Sequence, residues 1–143
     1  MKSKRIFIAS DHAGYNLKEN IKKSLIKKKN TVKDLGTNSP NSVDYPDFAH
    51  YLSKKIGKNK NSIGILICGS GIGMSMVANR HKNIRAALCH NIKSAKLSRM
   101  HNNANVLALG SRLTKREVAL KCVNIFLKTP FEGGRHLRRI KKI

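Results

Sequence analysis

Seven consecutive residues, Ile63-Gly64-Ile65-Leu66-Ile67-Cys68-Gly69, give way to Ser70-Gly71-Ile72-Gly73-Met74. An unbroken apolar run bounded by glycine is the pattern of a strand buried on both faces, as in a parallel sheet covered by helices. The alternating glycines after Cys68 predict a tight strand-to-helix turn. Its backbone N–H groups converge, and the helix starting near Ile72 adds the positive end of its dipole. The product is an anion cradle with a thiol on its lip. Two better-known glycine loops do not fit. A dinucleotide fingerprint needs G-x-G-x-x-G after the first strand and an acid about 20 residues later, whereas no Asp or Glu occurs between Asp47 and Glu117. A P-loop needs Gly-Lys-Ser/Thr, and Met74 follows Gly73.

Around this stretch, apolar runs alternate with helical stripes. Strands are expected at Arg5–Ser10, Thr31–Leu35, Ile63–Cys68, Ile84–Cys89 and Asn105–Leu109. Helices are expected over Gly14–Lys27, where Leu17, Ile21 and Leu25 form a stripe, and within Asp44–Lys58, where Phe48, Leu52 and Ile56 do. Further helices are expected from the glycine loop to about Asn79, over Ile92–Asn102 and over Lys115–Leu127, with a basic helix over Arg135–Ile143. Asp44 with Pro46 reads as a helix N-cap with proline in the first turn. Five strands alternating with helices predict a single-domain, three-layer α/β/α Rossmann-like sandwich with a five-stranded parallel sheet, spanning residues 1–143.

The 143 residues carry 30 Lys+Arg against seven Asp+Glu, a net charge of +23. Such charge ordinarily points to nucleic acid. Here the lysines are scattered over nearly every expected helix, no aromatic ladder interleaves with them, and there is no tryptophan. The charge therefore implies nonspecific polyanion binding at low salt, with a noncatalytic nucleic-acid-binding α/β module as the alternative reading from another class. No apolar run is long enough to cross a bilayer, and the short run after Met1-Lys2-Ser3-Lys4 reads as the first strand, not a signal peptide. Three cysteines without C-x-x-C spacing argue against a disulfide framework or structural zinc. Free thiols fit a reducing, cytoplasmic compartment, and Cys122 reads as core.

Open parallel sheets bind ligands at the carboxyl ends of their strands. In this chain those ends carry Ser10-Asp11-His12, Cys68 with its glycines, Cys89-His90 and Gly110-Ser111-Arg112. A thiol beside converging N–H groups ionises more readily than a free one, so Cys68 is a nucleophile, a general base or a small core residue. His101, at a helix end, is a cap or a proton-transfer group; Asn102 offers an amide. Arg135 and Arg139 share one helical face and supply the bidentate geometry that phosphate favours, with Arg112 and His12 as further donors. Cys89-His90 reads as packing.

Ser10-Asp11-His12-Ala13-Gly14, Asp44-Tyr45-Pro46, the Cys68–Gly73 loop, Leu97-Ser98-Arg99-Met100-His101-Asn102, Asn105–Arg112 and Phe131-Glu132-Gly133-Gly134-Arg135-His136 together resemble the type B ribose-5-phosphate isomerases, a family that also includes the galactose-6-phosphate and allose-6-phosphate isomerases. The six motifs run in the same order from first strand to last helix. The resemblance implies a homodimeric (or tetrameric), metal-free and cofactor-free sugar-phosphate isomerase of the pentose phosphate pathway. It assigns Cys68 as the base that moves the proton between C1 and C2, and His101 as the opener of the furanose ring. Ser70 joins them in the catalytic set. It also assigns Asp11, His12, Tyr45, Gly69, Ser70, Gly71, Ile72, Gly73, Asn102, Arg112, Arg135 and Arg139 to substrate binding. Some members carry a glutamate base further along the loop helix; Met74–Ala78 contains no acid, which implies the cysteine variant. Retention of both Cys68 and His101 favours ribose 5-phosphate over six-carbon substrates.

Overall fold

The computed structural model describes residues 4–143; the first three residues of the basic N-terminus lie outside it. Five parallel strands, β1 (Arg5–Ser10), β2 (Val32–Asp34), β3 (Ser62–Cys68), β4 (Ala86–Leu88) and β5 (Val106–Gly110), form one sheet in the order β2-β1-β3-β5-β4. The helices are α1 (Tyr15–Lys27), α2 (Tyr45–Lys58), α3 (Ile72–Ala78), α4 (Ile92–Asn102), α5 (Arg116–Lys128) and α6 (Arg135–Ile140). None is long and apolar enough to cross a membrane.

The two-residue period of the strands sorts the core into two layers. Ile6, Ile8, Ile63, Ile65, Ile67, Leu107 and Leu109 face α1, α4 and α5, where Leu17, Ile21, Leu25, Cys122 and Phe126 meet them. Phe7, Ala9, Leu66 and Cys68 face the other side, against Leu52 and Ile56 of α2 and Met74 of α3. All seven residues of β3 are buried, as the unbroken apolar run requires. Cys68 is thus the last residue on the α2/α3 face of the central strand. Cys122 is fully buried in the core, in line with its reading from the sequence.

Departures from expectation fall at element ends. β4 pairs only over Ala86–Leu88, not Ile84–Cys89, because it is an edge strand with β5 as its one neighbour; ahead of it the Arg85 N–H goes to the Asn105 side chain (2.8 Å). The other edge strand, β2, is likewise shorter than expected. The last helix stops at Ile140 rather than Ile143. Asp44 occupies the N-cap of α2 with proline just inside, but its side chain makes no capping bond.

The order of the strands reverses direction between β1 and β3. Connections leave β1 toward β2 on one side and leave β3 toward β4 on the other, which opens a crevice above the carboxyl ends of these two neighbours. The helices run antiparallel to the strands, so the C-terminal turn of α4 lies at the opposite, amino edge of the sheet, just before β5.

Candidate active site

The crevice contains a cleft of about 570 Å³ lined by Asp11, Tyr45, Cys68, Gly69, Ser70, Ile72, Gly73, Met76, Arg112 and Leu113. Its floor is the glycine loop. Gly71 caps α3 with φ +77°, a left-handed conformation that disfavours side chains. A Cβ there would lie 2.6 Å from Leu88 Cδ1 and 2.8 Å from the Leu109 carbonyl carbon. The turn brings the Gly71 N–H to 3.1 Å from Cys68 Sγ, and Ser70 Oγ accepts the Ile72 N–H at 3.2 Å. The loop is tied to the β5 end by Ser111 N–H to Cys68 O and Arg112 N–H to Gly69 O, both 2.9 Å. Arg112 is thereby held with its guanidinium over Gly69, where a Cβ would come within 3.1 Å of Nη1. Gly73 leaves room for the Tyr45 ring, which packs directly on its Cα.

Cys68 thus sits beside a backbone N–H donor and the first turn of α3. The other two cysteines lack this setting. Burial pushes the Cys89 thiol up, and burial reinforced by Cys89 pushes Cys122 up to about 11. Among the three, Cys68 is the thiol that combines a cleft with a backbone donor. Cys89 is buried in the core, as a packing residue would be, whereas His90 is exposed, 3.4 Å from Thr114 Oγ1, and does not pack.

Asp11 is buried at the cleft's edge, where its Oδ1 accepts the Gly14 N–H at 3.0 Å. The carboxylate thus fixes the turn into α1 while its second oxygen remains for the cleft. His12 Nδ1 accepts the Val43 N–H at 3.2 Å, so in the neutral ring the proton sits on Nε2 and that nitrogen is a donor. His12 does not itself line the cleft.

The remaining predicted residues lie elsewhere in the chain. His101, Asn102 and Arg139 line a separate hollow of about 300 Å³ with His136, Ile140 and Ile143, at the amino edge reached by α4. Arg135 is exposed at the start of α6 and lines neither. One chain therefore brings together Cys68, Ser70, the glycines, Asp11, Tyr45 and Arg112, and holds His101, Asn102 and Arg139 apart from them.

Within the second hollow the rings of His101 and His136 are stacked, centroids 4.3 Å apart and planes 15° from parallel. Glu132 Oε2 lies 3.3 Å from His136 Nε2. The ligating atoms of these three side chains fall within 4.8 Å of one another, but nearly parallel rings send their lone pairs side by side, not onto a common point as tetrahedral zinc requires. Glu132 is absent from the residues expected from the sequence, although its spacing of four from His136 is a usable signal. So is the exposed lip of Met76 and Leu113, 65% and 60% accessible, which carries no chemical signature in a sequence.

The comparisons agree with this architecture. A model of the ribose/galactose isomerase family matches residues 6–143. Ribose-5-phosphate isomerase B of Escherichia coli is 41% identical over 140 residues, covering 98% of this chain and 94% of that protein. The structure of a ribose 5-phosphate isomerase from Thermotoga maritima aligns with a TM-score of 0.95 at 52% identity, covering 99% of this chain and 97% of the other. That of ribose-5-phosphate isomerase B from Mycoplasma genitalium with bound ribulose 5-phosphate aligns with a TM-score of 0.96 at 49% identity, covering 99% and 95%.

Proposed function

The chain belongs to the ribose/galactose isomerase family, and from that membership we propose that it interconverts ribose 5-phosphate and ribulose 5-phosphate. The observation that carries the reading is the Cys68 thiol at the cleft, its Sγ 3.1 Å from the Gly71 N–H, in a chain so similar to a protein crystallised with ribulose 5-phosphate.

Isomerisation needs a ring opener, a base over one face of C2 and donors for the developing oxyanion. His101 takes the C1 hydroxyl proton of the furanose as the ring oxygen regains a proton, which frees the aldehyde. The Cys68 thiolate removes the C2 proton and returns it to C1, with the 1,2-enediolate between the two steps. The N–H groups of the Gly69–Gly73 loop and the Ser70 hydroxyl donate to its oxygens. The proton lost from the C2 hydroxyl is matched by one gained at the C1 oxygen, so the reaction is redox-neutral overall and needs no external oxidant. Arg112, Arg135, Arg139 and His12 Nε2 hold the phosphate. Asp11 and Asn102 hold hydroxyls, and Tyr45 walls the cleft.

Because His101, Asn102 and Arg139 sit at the opposite sheet edge from Cys68, the working site is shared between two copies of the chain. Each copy brings its amino-edge hollow over the other's cleft. The exposed Ile72, Met76 and Leu113 beside the cleft, and Leu137 and Ile143 beside the hollow, are the apolar surface such contact removes from water. Three free cysteines fit an enzyme of the reducing cytoplasm.

The test is conversion of ribose 5-phosphate to ribulose 5-phosphate in EDTA, wild type beside Cys68→Ala. Activity that survives the chelator and vanishes in the variant supports the thiolate mechanism. Unchanged activity in the variant overturns it, and no turnover in wild type moves the substrate to a six-carbon sugar phosphate.

A further inference from the structure

A third concavity, of about 370 Å³, opens at the amino ends of the strands, beneath the last turn of α2. Lys4, Lys60, Arg85 and Arg99 line it, with the amides of Asn61 and Asn83, and no carboxylate does. It shares no residue with the Cys68 cleft or the His101 hollow.

Arg99 is the central group, only 5% accessible. Its Nε donates to Thr129 O (3.2 Å) and its Nη1 to Asn103 Oδ1 (2.9 Å) and Ala104 O (2.5 Å). Arg85 Nε donates to Asn102 O (3.1 Å) and Asn103 O (3.0 Å). These carbonyls satisfy some donors but supply no formal negative charge. The Arg99 guanidinium lies over the Phe126 ring, 5.7 Å from its centroid, but Nη2 of Arg99, both Nη groups of Arg85 and Nζ of Lys4 have no hydrogen-bond partner among the described residues, and none of these side chains takes part in an ion pair there. Residues 1–3, Met-Lys-Ser, contain no carboxylate.

The contrast with the chain's other buried cation is direct. Lys18, wholly buried, is met by Asp34 at 2.6 Å and Glu19 at 2.9 Å. A buried charge is ordinarily paired in this way. At the amino edge the cations instead press on one another: burial and then Arg99 hold the Lys4 ammonium below its usual range, while burial and then Arg85 lower Arg99.

We propose that this concavity is a binding site for the phosphate group of a small molecule, held by Lys4, Arg85 and Arg99 in a place where the protein provides cations and amides but no counter-ion. Free guanidinium N–H groups suit two oxygens of one phosphate, and Asn61 and Asn83 add neutral donors. The volume matches a small metabolite. Arg99 and His101 share the last turn of α4, so an occupant braces the helix end that carries His101. The site stands independently of the catalytic roles proposed above.

The experiment is an NMR titration of the full chain at fixed ionic strength. Inorganic phosphate is one probe and glycerol 3-phosphate, a phosphomonoester the enzyme does not isomerise, is the other. The readout is the amide signals of Asn61, Asn83 and Asn105. Wild type is compared with Lys4→Gln/Lys60→Gln, two side chains with no hydrogen bond among the described residues, and with Lys27→Gln/Lys121→Gln, which removes the same charge from exposed helix surface. Saturating shifts with either probe in wild type and the control, weakened at least about tenfold in Lys4→Gln/Lys60→Gln as the loss of a charged hydrogen bond predicts, support the site. The tighter probe tells whether free phosphate or a phosphomonoester is its occupant. Shifts that never saturate, or that weaken equally in both double variants, overturn it in favour of the diffuse field of a +23 protein.

Discussion

The imidazole of His101 lies flat against that of His136, 4.3 Å between centroids, and His136 is in turn held by Glu132 at 3.3 Å. The role proposed for His101, proton exchange with a sugar hydroxyl, would need a fixed ring plane, and the stack supplies one where α6 packs on the end of α4. His136→Ala is expected to lower kcat about tenfold with KM nearly unchanged, the signature of lost positioning. His136→Phe, which keeps a flat partner, is expected to restore most of it. Steady-state kinetics of the two variants check this, and equal losses in both would place His136 in proton transfer itself.

The glycine loop makes a prediction about stability. Gly71→Ala puts a Cβ on a residue at φ +77° and 2.6 Å from Leu88 Cδ1. It is expected to cost about 1–3 kcal/mol and most of the activity, since the turn aims the N–H at Cys68. Gly57, in the last turn of α2, has nothing within 4 Å of the position a Cβ would take, and Gly57→Ala is expected to gain about 0.5 kcal/mol. Urea unfolding of the two variants beside wild type measures both.

Acid sensitivity should centre on the carboxylates around Lys18. Burial alone would raise the Asp34 carboxyl, but the hydrogen bonds from Lys18 and Lys22, with the Gly36 N–H, outweigh it and hold the group below its usual value. The Lys18 hydrogen bond does the same for Glu19. A folded-state acid lowered in this way adds stability that is present above about pH 4, the unfolded value, and is lost as pH falls through the folded one. Thermal melts are therefore expected to be flat from pH 7 to 5 and to fall below pH 4. Asp34→Asn leaves Lys18 buried with Glu19 alone and is expected to cost about 3 kcal/mol at pH 7, removing much of that acid slope. A steep slope retained in Asp34→Asn would place the acid sensitivity elsewhere.

Where a signal is local in the chain, the sequence carries it. The β3 run and its glycines are contiguous, so the strand, the turn and the thiol–amide contact are legible together. Leu17, Ile21 and Leu25 are legible as a stripe because helical period alone puts them on one face, and all three are buried. The edge strands read too long: residues such as Ile84 and Cys89 are apolar because they pack under helices, and a residue can be buried without pairing in the sheet. What surrounds His101 is hidden for a different reason. The parallel sheet expected from the sequence already implies that α4 ends at the amino edge, away from Cys68; what nothing in local sequence states is that Glu132 and His136 close on His101 from beyond a Gly-Gly turn.

That separation leads to a test by mixing. If each site joins Cys68 of one copy to His101 of the other, then Cys68→Ala and His101→Ala chains are each inactive as homodimers. A mixed dimer, however, has one site carrying both changes and one carrying neither. Co-refolding equal amounts gives half mixed dimers with one intact site each, so activity is expected to return to about a quarter of wild type under two-fold symmetry. Mixing without subunit exchange is expected to give none. If the two residues acted within one chain, every site in the mixture would carry one change and activity would stay at the background of the single variants. Recovery near a quarter, dependent on exchange, therefore distinguishes a site built across two copies from one built within a single chain.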